Sequence, residues 1–409
     1  MNRVSSIVLA AVCSMASAGP LTPPPGPVAP GGKTTAQIEP RTPIGIDTTP
    51  GDADSVYRID RPGSYYLTEN LFGEDGKSCI EVASDGVQID LMGFELFGGF
   101  GSTLDGIAVS GSRRGLTILN GRIRSFGRSA IAANTIDTAV YRDLLIQDSG
   151  FVGLWMGDNA VADRVSARNN FADGILAGTG CTIVNCSTFD NNGEGIQTGV
   201  GCVIENCTAA NNGNIGISLA SNGTIRGSNA YNNGSIGISV NINSRAIGCT
   251  STSNGSDGFS LNFNAQIIDC SANSNIENGI EGNDSALIEG CSAIDNRMNG
   301  IRVRNASTVR DNKCEGNGVG TNDGAGVFVT GVENRIDGND VANNDRGIDV
   351  DGTRNLVIRN SASSNGSNYT IVGNNSVGLL ITLNPSGIIS GTTGGSGVGG
   401  NQAWANINY

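Results

Sequence analysis

Eight asparagines fall at a constant interval of 21 residues: Asn170, Asn191, Asn212, Asn233, Asn254, Asn275, Asn296 and Asn317. Two more, Asn344 and Asn365, continue the series after small insertions. Neither a helix nor a hairpin produces such spacing. A fixed period of roughly 20–50 residues marks a solenoid, in which each repeat is one coil stacked on the next.

Other columns keep the same period. Gly recurs at 153, 174, 195, 216, 237, 258, 279 and 300, followed each time by Leu154, Ile175, Ile196, Ile217, Ile238, Phe259, Ile280 or Ile301. Within one unit, apolar or small residues alternate in three bursts: Ile196 and Thr198, Cys202 and Ile204, Cys207 and Ala209. Alternation in such short pieces means strands with one buried face. The expected fold is all-β: a right-handed parallel β-helix of about a dozen coils of ~21 residues, three short strands per coil, spanning roughly 60 Å at a rung spacing of about 4.8 Å. A meander of Asn-Gly hairpins would not keep one side chain at a fixed long interval. Leucine-rich repeats need several Leu per unit and a helical return. Left-handed hexapeptide helices need coils in multiples of six residues, and 21 is not one. Two properties select Asn for the ladder: tolerance of positive φ at a bend, and amides that bond to the coils above and below.

Outside the array the composition changes. Residues 1–18, MNRVSSIVLAAVCSMASA, read as a secretory signal with Arg3 as its basic head. Residues 19–54 hold nine of the eleven prolines and read as a disordered linker. The β-helix is expected over 55–383, with VYRI and YYLT as paired strands capping the first coil, and 384–409 as a Gly-rich tail. No later run approaches a membrane span. The expected location is secreted, periplasmic or at the cell envelope. Loops lengthen at GVGTND (318–323), and GVENR (331–335) adds one residue before Ile336. Such insertions map to one side of a solenoid, here as walls of a shallow groove.

The net charge of −13 disfavours nucleic acid and membrane phosphates as partners. Histidine is absent, which excludes Ser-His-Asp and Cys-His catalysis, histidine metal sites and imidazole acid/base work. Chemistry is left to carboxylates, Lys, Arg, Tyr or an oxygen-held metal. Cys186, Cys207, Cys249, Cys270 and Cys291 share one repeat position, with Ser228 filling a step, and Cys181 and Cys202 form a second column. Stacked side chains run parallel, which is poor disulfide geometry, so these read as buried, small apolar thiols. CTIVNC and CVIENC lack C-x2-C metal spacing.

Candidate surface chemistry lies beside the Ile column. The outward series is Gln197, Ser218, Ser239, Ser260, Glu281, Arg302 and then Asp349, with Asp284, Arg304 and Asp351 just beyond it. Carboxylates and guanidinium groups on one sheet face can orient a sugar, or take a proton beside a bound cation. DGND (337–340) has the look of a calcium turn without EF-hand spacing, so calcium is the one cofactor suggested and no metal ligands are assigned. Trp155 and Phe263 are the candidate exposed aromatics.

RPGSYYLTENL (61–71), GVQIDLMGFELFG (86–98), the GI…C…NNG units, SNYTIVGNNSVG (367–378) and WANINY (404–409) together resemble the bacterial exported right-handed β-helix repeat proteins of the pectate-lyase-like superfamily. The resemblance covers about 350 residues, on the repeat logic of such arrays. It implies the fold, and a superfamily that includes pectate lyases, polygalacturonases, alginate epimerases and periplasmic copper-chaperone-like proteins. Polygalacturonases require a His, which is missing. Pectate lyases use Asp-bound calcium with an Arg or Lys base; residue types match here but no motif does, so no catalytic residue is carried over. The functional expectation is an exported β-helix that binds, and processes, a polysaccharide along one face. The alternative is a non-catalytic envelope, matrix or adhesion rod. The expected partner is a polysaccharide or a cell-envelope component.

Overall fold

The computed structural model describes residues 39–99, 103–318, 320, 324–383, 389–390 and 404–409. The expected signal and most of the expected linker lie outside these residues. The chain divides into two units, Met1–Pro40 and Arg41–Tyr409. Every regular element among the described residues is a strand, and all of them belong to the second unit.

Three faces repeat. The first face holds fifteen parallel strands, from Ser55–Ile59 to Ser367–Ile371. Its register follows the sequence period, with Ile196 beside Ile217 and Ile217 beside Ile238. Strands such as Val203–Glu205 form the second face and Thr208–Ala210 the third, each paired with its equivalent one coil on. Near the N-terminus, Arg113–Arg124 and Ile136–Gln147 run through the second bend as single strands of 12 residues. Fifteen rungs exceed the dozen expected, because the stretch from Ser55 to Phe97 forms full coils without repeating the ladder residues.

The ends also differ from expectation. VYRI and YYLT do not pair with each other: Ser55–Ile59 pairs with Ser78–Val82 on the first face, and Gly63–Tyr66 with Val87–Asp90 on the second. They are two sides of the first coil. The covering strand is Thr42–Pro43, against Tyr65–Tyr66. Ile44 and Thr49 are buried, so the expected linker overlaps the folded unit from Arg41 onward. At the other end, Asn406–Asn408 leaves the expected tail and pairs with Ser361–Ala362.

Inward columns make the core. Ile175, Ile196, Ile217, Ile238, Phe259, Ile280 and Ile301 are all 0% exposed, and each such side chain contributes about 1.5–3 kcal/mol on burial. The glycine before each exists because a side chain there would strike the ladder. A Cβ on Gly195 would lie 2.7 Å from Asn212 Nδ2 and 2.5 Å from the Gly216 carbonyl. This is why the Gly, Ile and Asn columns move together.

The bends separate two roles that the sequence reading merged. Positive φ falls on Asn169, Asp190, Asn211 and Asn232, one residue before each ladder Asn, and not on the ladder. The same holds at the other bends, where Asn185 and Asn206 precede Cys186 and Cys207, and Gly180 and Gly201 precede Cys181 and Cys202. Each coil therefore turns on left-handed residues, and each is followed by a buried side chain that bonds the coils. Ladder Asn is selected by those bonds alone: Asn191 Oδ1 accepts the backbone N–H (3.1 Å) and the side-chain N–H (2.8 Å) of Asn170.

The nine cysteines among the described residues are buried and free. They are not merely apolar filler. The Cys249 backbone N–H donates to Cys270 Sγ at 3.2 Å, and Ser228 and Asn312 make the equivalent bonds to Cys207 N–H and Cys291 N–H. Of the two insertions, GVENR is described: Val303 pairs with Val329 but Thr308 with Arg335, which places the extra residue between them. Within GVGTND only Gly318 and Gly320 belong to the described residues, and the ladder resumes beyond it from Asn317 to Asn344.

Candidate functional site

The first face sets the site, because its middle residues point outward while their neighbours on either side point in. Successive rungs bring Ser260, Glu281, Arg302, Phe328 and Asp349 into one outward column. Through Ser218, Ser239 and Ser260 this column is small and polar. At Glu281 it becomes charged.

Glu281 is held from two sides. Oε1 accepts from Arg302 Nη1 at 2.5 Å, and Oε2 accepts from Asn278 Nδ2 at 3.1 Å. Asn278 also donates its backbone and side-chain N–H groups to Asp257 Oδ1, both at 3.0 Å. Asn299 repeats the bond onto Asn278 Oδ1, and the Ala325 N–H donates to Asn299 Oδ1 at 2.9 Å. A buried chain of side chains thus runs behind the largely buried pair and holds Glu281 through Asn278. Burial pushes the Glu281 carboxyl up to about 7, against the opposing charge of Arg302 and with the help of Asp257. Asp257 is also raised, again chiefly by burial. Desolvation therefore outweighs the ion pair at Glu281. A carboxyl that changes protonation near neutrality beside a fixed guanidinium has the properties of a general acid or base.

The remaining candidates from the sequence divide. Arg304 and Asp351 are exposed and share the next outward column, two coils apart. Asp284 belongs to the bend, where its Oδ1 accepts the Asn305 backbone and side-chain N–H groups at 3.3 and 3.0 Å. Asp349 lies in the predicted column but is 0% exposed, paired to Arg346 at 2.7 Å, so it presents nothing to solvent. Glu281, Arg302 and Arg304 are the members brought together at the surface.

Sequence reading passed over Asp257, Asn278 and Asn299. Their signal was the position before the ladder glycine, which is Ile215 and Ile236 in preceding coils and then turns polar. The same position carries Asp173 and Glu194 earlier in the chain. Of the aromatics, Trp155 faces outward and half-buried, and Phe263 is 52% exposed. In the DGND turn, Asp337 is committed to arginines. Asp337 is 2% exposed and both its oxygens are taken by Arg359 (2.6 and 2.7 Å), with Arg335 sharing Oδ2 at 2.7 Å. Among the described residues no cluster of three or more His, Cys, Asp or Glu is placed to hold a metal.

A parallel solenoid of three short strands per coil, with stacked Asn, Ile and Gly columns, defines the class. The chain belongs to the family described as right handed beta helix region, whose model matches residues 105–244, 152–281 and 259–403. Similar solved structures include the A-module of the Azotobacter vinelandii mannuronan C-5 epimerase AlgE4, at 16% identity and TM-score 0.51, over 76% of this chain and 89% of that one. The periplasmic alginate epimerase AlgG is 12% identical with TM-score 0.44, over 71% and 80%. The catalytic unit of an α-1,3-glucanase from Streptomyces thermodiastaticus is 15% identical with TM-score 0.41, over 67% and 62%. No curated protein sequence matches the chain. Among the described residues no helix is long and apolar enough to cross a membrane.

Proposed function

We propose that this chain binds a polysaccharide along its first face, and that Glu281 with Arg302 is where the polymer is processed. The observation that carries this reading is the change in the outward column from serine to Glu281 and Arg302, backed by the Asp257–Asn278–Asn299 chain. A merely solvated charge pair would not need a buried hydrogen-bond chain to hold it. Glu281 would move a proton, and Arg302 and Arg304 would bind acidic or hydroxyl groups of the sugar. The similar solenoid that is a mannuronan epimerase module supports a polysaccharide as the substrate class. The signal-like residues 1–18 support export, which N-terminal sequencing of secreted and periplasmic fractions would test.

The experiment is incubation with a panel of uronic-acid polymers and neutral α-glucans, with and without calcium. The readouts are unsaturated product, new reducing ends and epimer ratio. Wild-type turnover that is lost in Glu281→Gln supports the proposal. A second reading, a non-catalytic envelope or matrix rod, is favoured by the exposed Asn222, Asn243 and Asn264, which stack through side-chain amide bonds of 3.4 and 2.8 Å. Silence across the whole panel, with no polymer bound, favours that reading.

A further inference from the structure

The first and last coils of the β-helix are finished differently. At the first coil Thr42–Pro43 lies along Tyr65–Tyr66, Ile44 is buried, and the inward residues Ile59 and Leu67 are sealed. At the last coil the inward columns stay open. Ile348 and Val350 are fully buried, but Tyr369 and Ile371, one coil on, are only partly so. On the second face Val357 is 0% exposed, whereas its partner Val377 is 45% exposed. Among the described residues no strand pairs with the outer edge of Ser367–Ile371 or of Ser376–Val377. The third face alone continues, through Asn406–Asn408 to Leu380–Leu383. This end is therefore stepped, and a cavity of about 310 Å³ lined by Tyr369, Ile371, Val377 and Leu380 opens on it.

Charge changes over the same stretch. Arg359 is the last charged residue, so residues 360–409 carry none in a chain of net charge −13. Just before them Asp345, Asp349 and Asp351 are matched by Arg346, Arg354 and Arg359. A sheet edge that stands open to water is normally guarded by lysine or proline. Neither occurs in the strands SNYTI, SV and LITL of this end. The residues that close the first coil, by contrast, include Asp47, Asp52 and Asp54.

We infer that two copies of this chain associate end to end through the last coil, about a two-fold axis. At physiological salt, repulsion between acidic chains is screened beyond about 8 Å, so the charge of the touching surfaces decides where copies meet. Most of the surface of this chain is acidic, and the last coil is neutral. The step is self-complementary: a two-fold sets the projecting third face of each copy against a low face of the other and covers Val377 and Leu380 in both. A lipid surface would cover those side chains but leave the N–H and C=O groups of the edge strands unmet, whereas a second polypeptide brings groups to meet them. Because the first coil is sealed and acidic, it offers the open end no matching surface, and association stops at two. The inference is independent of the polysaccharide reading.

The test is sedimentation equilibrium of the full chain over a range of concentrations, for wild type, Val377→Asp, Thr370→Lys and Asn229→Lys. Thr370 and Val377 are exposed on the last coil, and Asn229 is exposed on the third face far from it. Thermal unfolding checks that each variant folds, and Thr370→Lys serves if Val377→Asp does not. Wild type is expected at twice the chain mass. Either end variant places like charges across the two-fold and is expected to weaken association about a hundredfold, while Asn229→Lys leaves it unchanged. A wild type that is monomeric throughout overturns the inference, and its flotation on phosphatidylcholine vesicles would then assign the end to a lipid surface. A dimer that survives both end variants, or one lost equally in Asn229→Lys, overturns it as well. Mass that keeps growing past two chains with concentration overturns the closed two-fold pair.

Discussion

The Oδ1 atom of Asn233 accepts both the backbone N–H and the side-chain N–H of Asn212, one coil away, at 3.1 and 3.0 Å. Asn233 then donates its own amide to the Ala209 carbonyl and to Asn254 Oδ1. One side chain in a buried position thus meets polar groups of the two coils that flank its own. Asn232, its neighbour, has φ of 54° and sits exposed. The two asparagines are needed for different reasons, and substitutions separate them.

Asn233→Ala leaves the two Asn212 donors and the Ala209 carbonyl short of partners, and is expected to cost about 3 kcal/mol, at the upper end for buried groups left unmet. Asn232→Gly relieves the left-handed strain and is expected to stay within about 0.5 kcal/mol of wild type, whereas Asn232→Ala costs about 1 kcal/mol. Urea unfolding of the three variants checks the order. Equal losses at 232 and 233 would contradict the division of roles.

That division marks the limit of what could be read from the residues. The period of 21, the inward alternation and the columns were all legible, because a stacked coil repeats its environment and so repeats its side chains. Assigning positive φ to the ladder was an error of one residue, since the period places a column but not the bend angle within it. The first coils escaped the count because they carry no ladder Asn, and their bends turn on Gly86, Met92 and Gly93. At the site, Glu281 and Arg302 stood out by charge. Asp257 and Asn278 did not, since a polar residue at a bend is ordinary until its bonds are seen. Asp349 shared the outward column and was read as exposed, but its burial depends on what surrounds the strand and not on its place in the repeat.

The thiol column makes a prediction of its own. Cys270 Sγ accepts the Cys249 N–H and donates to the Ile268 carbonyl at 3.3 Å. Cys270→Ser is expected to fold with a loss below about 1 kcal/mol, since Ser228 already fills this position elsewhere. Cys270→Val, of similar size but without an acceptor, leaves the Cys249 N–H unmet and should cost about 1–3 kcal/mol. Chemical denaturation compares them, and a valine variant as stable as the serine one would show that the sulfur bond is immaterial.

Glu281 predicts a pH dependence. Its carboxyl titrates near 7 in the folded chain and near 4.5 when free, with burial as the main cause. The folded state holds the proton more tightly, so the stabilisation is complete below 4.5 and is lost as pH rises toward 7. Glu281→Gln removes this contribution and should flatten the stability profile over that window. Glu194 is raised to about 7 in the same way and keeps its own slope in the variant, so the comparison is a difference between two curves. Unfolding midpoints taken in steps across the window decide it; superimposable slopes for wild type and variant would mean that Glu281 is ionised throughout.

The C-terminal strand yields the last prediction. Asn406 is 0% exposed and ends a column that runs from Asn312 through Asn339 and Asn360. Its Oδ1 accepts the Asn360 backbone and side-chain N–H groups at 3.0 and 3.2 Å, and its amide donates to the Val357 carbonyl at 3.1 Å. Arg359 lies over Trp404, 5.7 Å from the ring centre, on the same segment. A solenoid that lacks such a cover exposes the open edge of its last coil, which frays first. Removing residues 404–409 should therefore speed amide exchange across 356–363 by about a hundredfold, equivalent to about 2.7 kcal/mol of lost local protection. Asn406→Ala should produce a smaller rise in the same amides, because the strand still pairs with Ser361 and Ala362. Hydrogen exchange read by mass spectrometry distinguishes the two. Protection of 356–363 that is unchanged by the deletion would show that the last coil is held without the C-terminal strand.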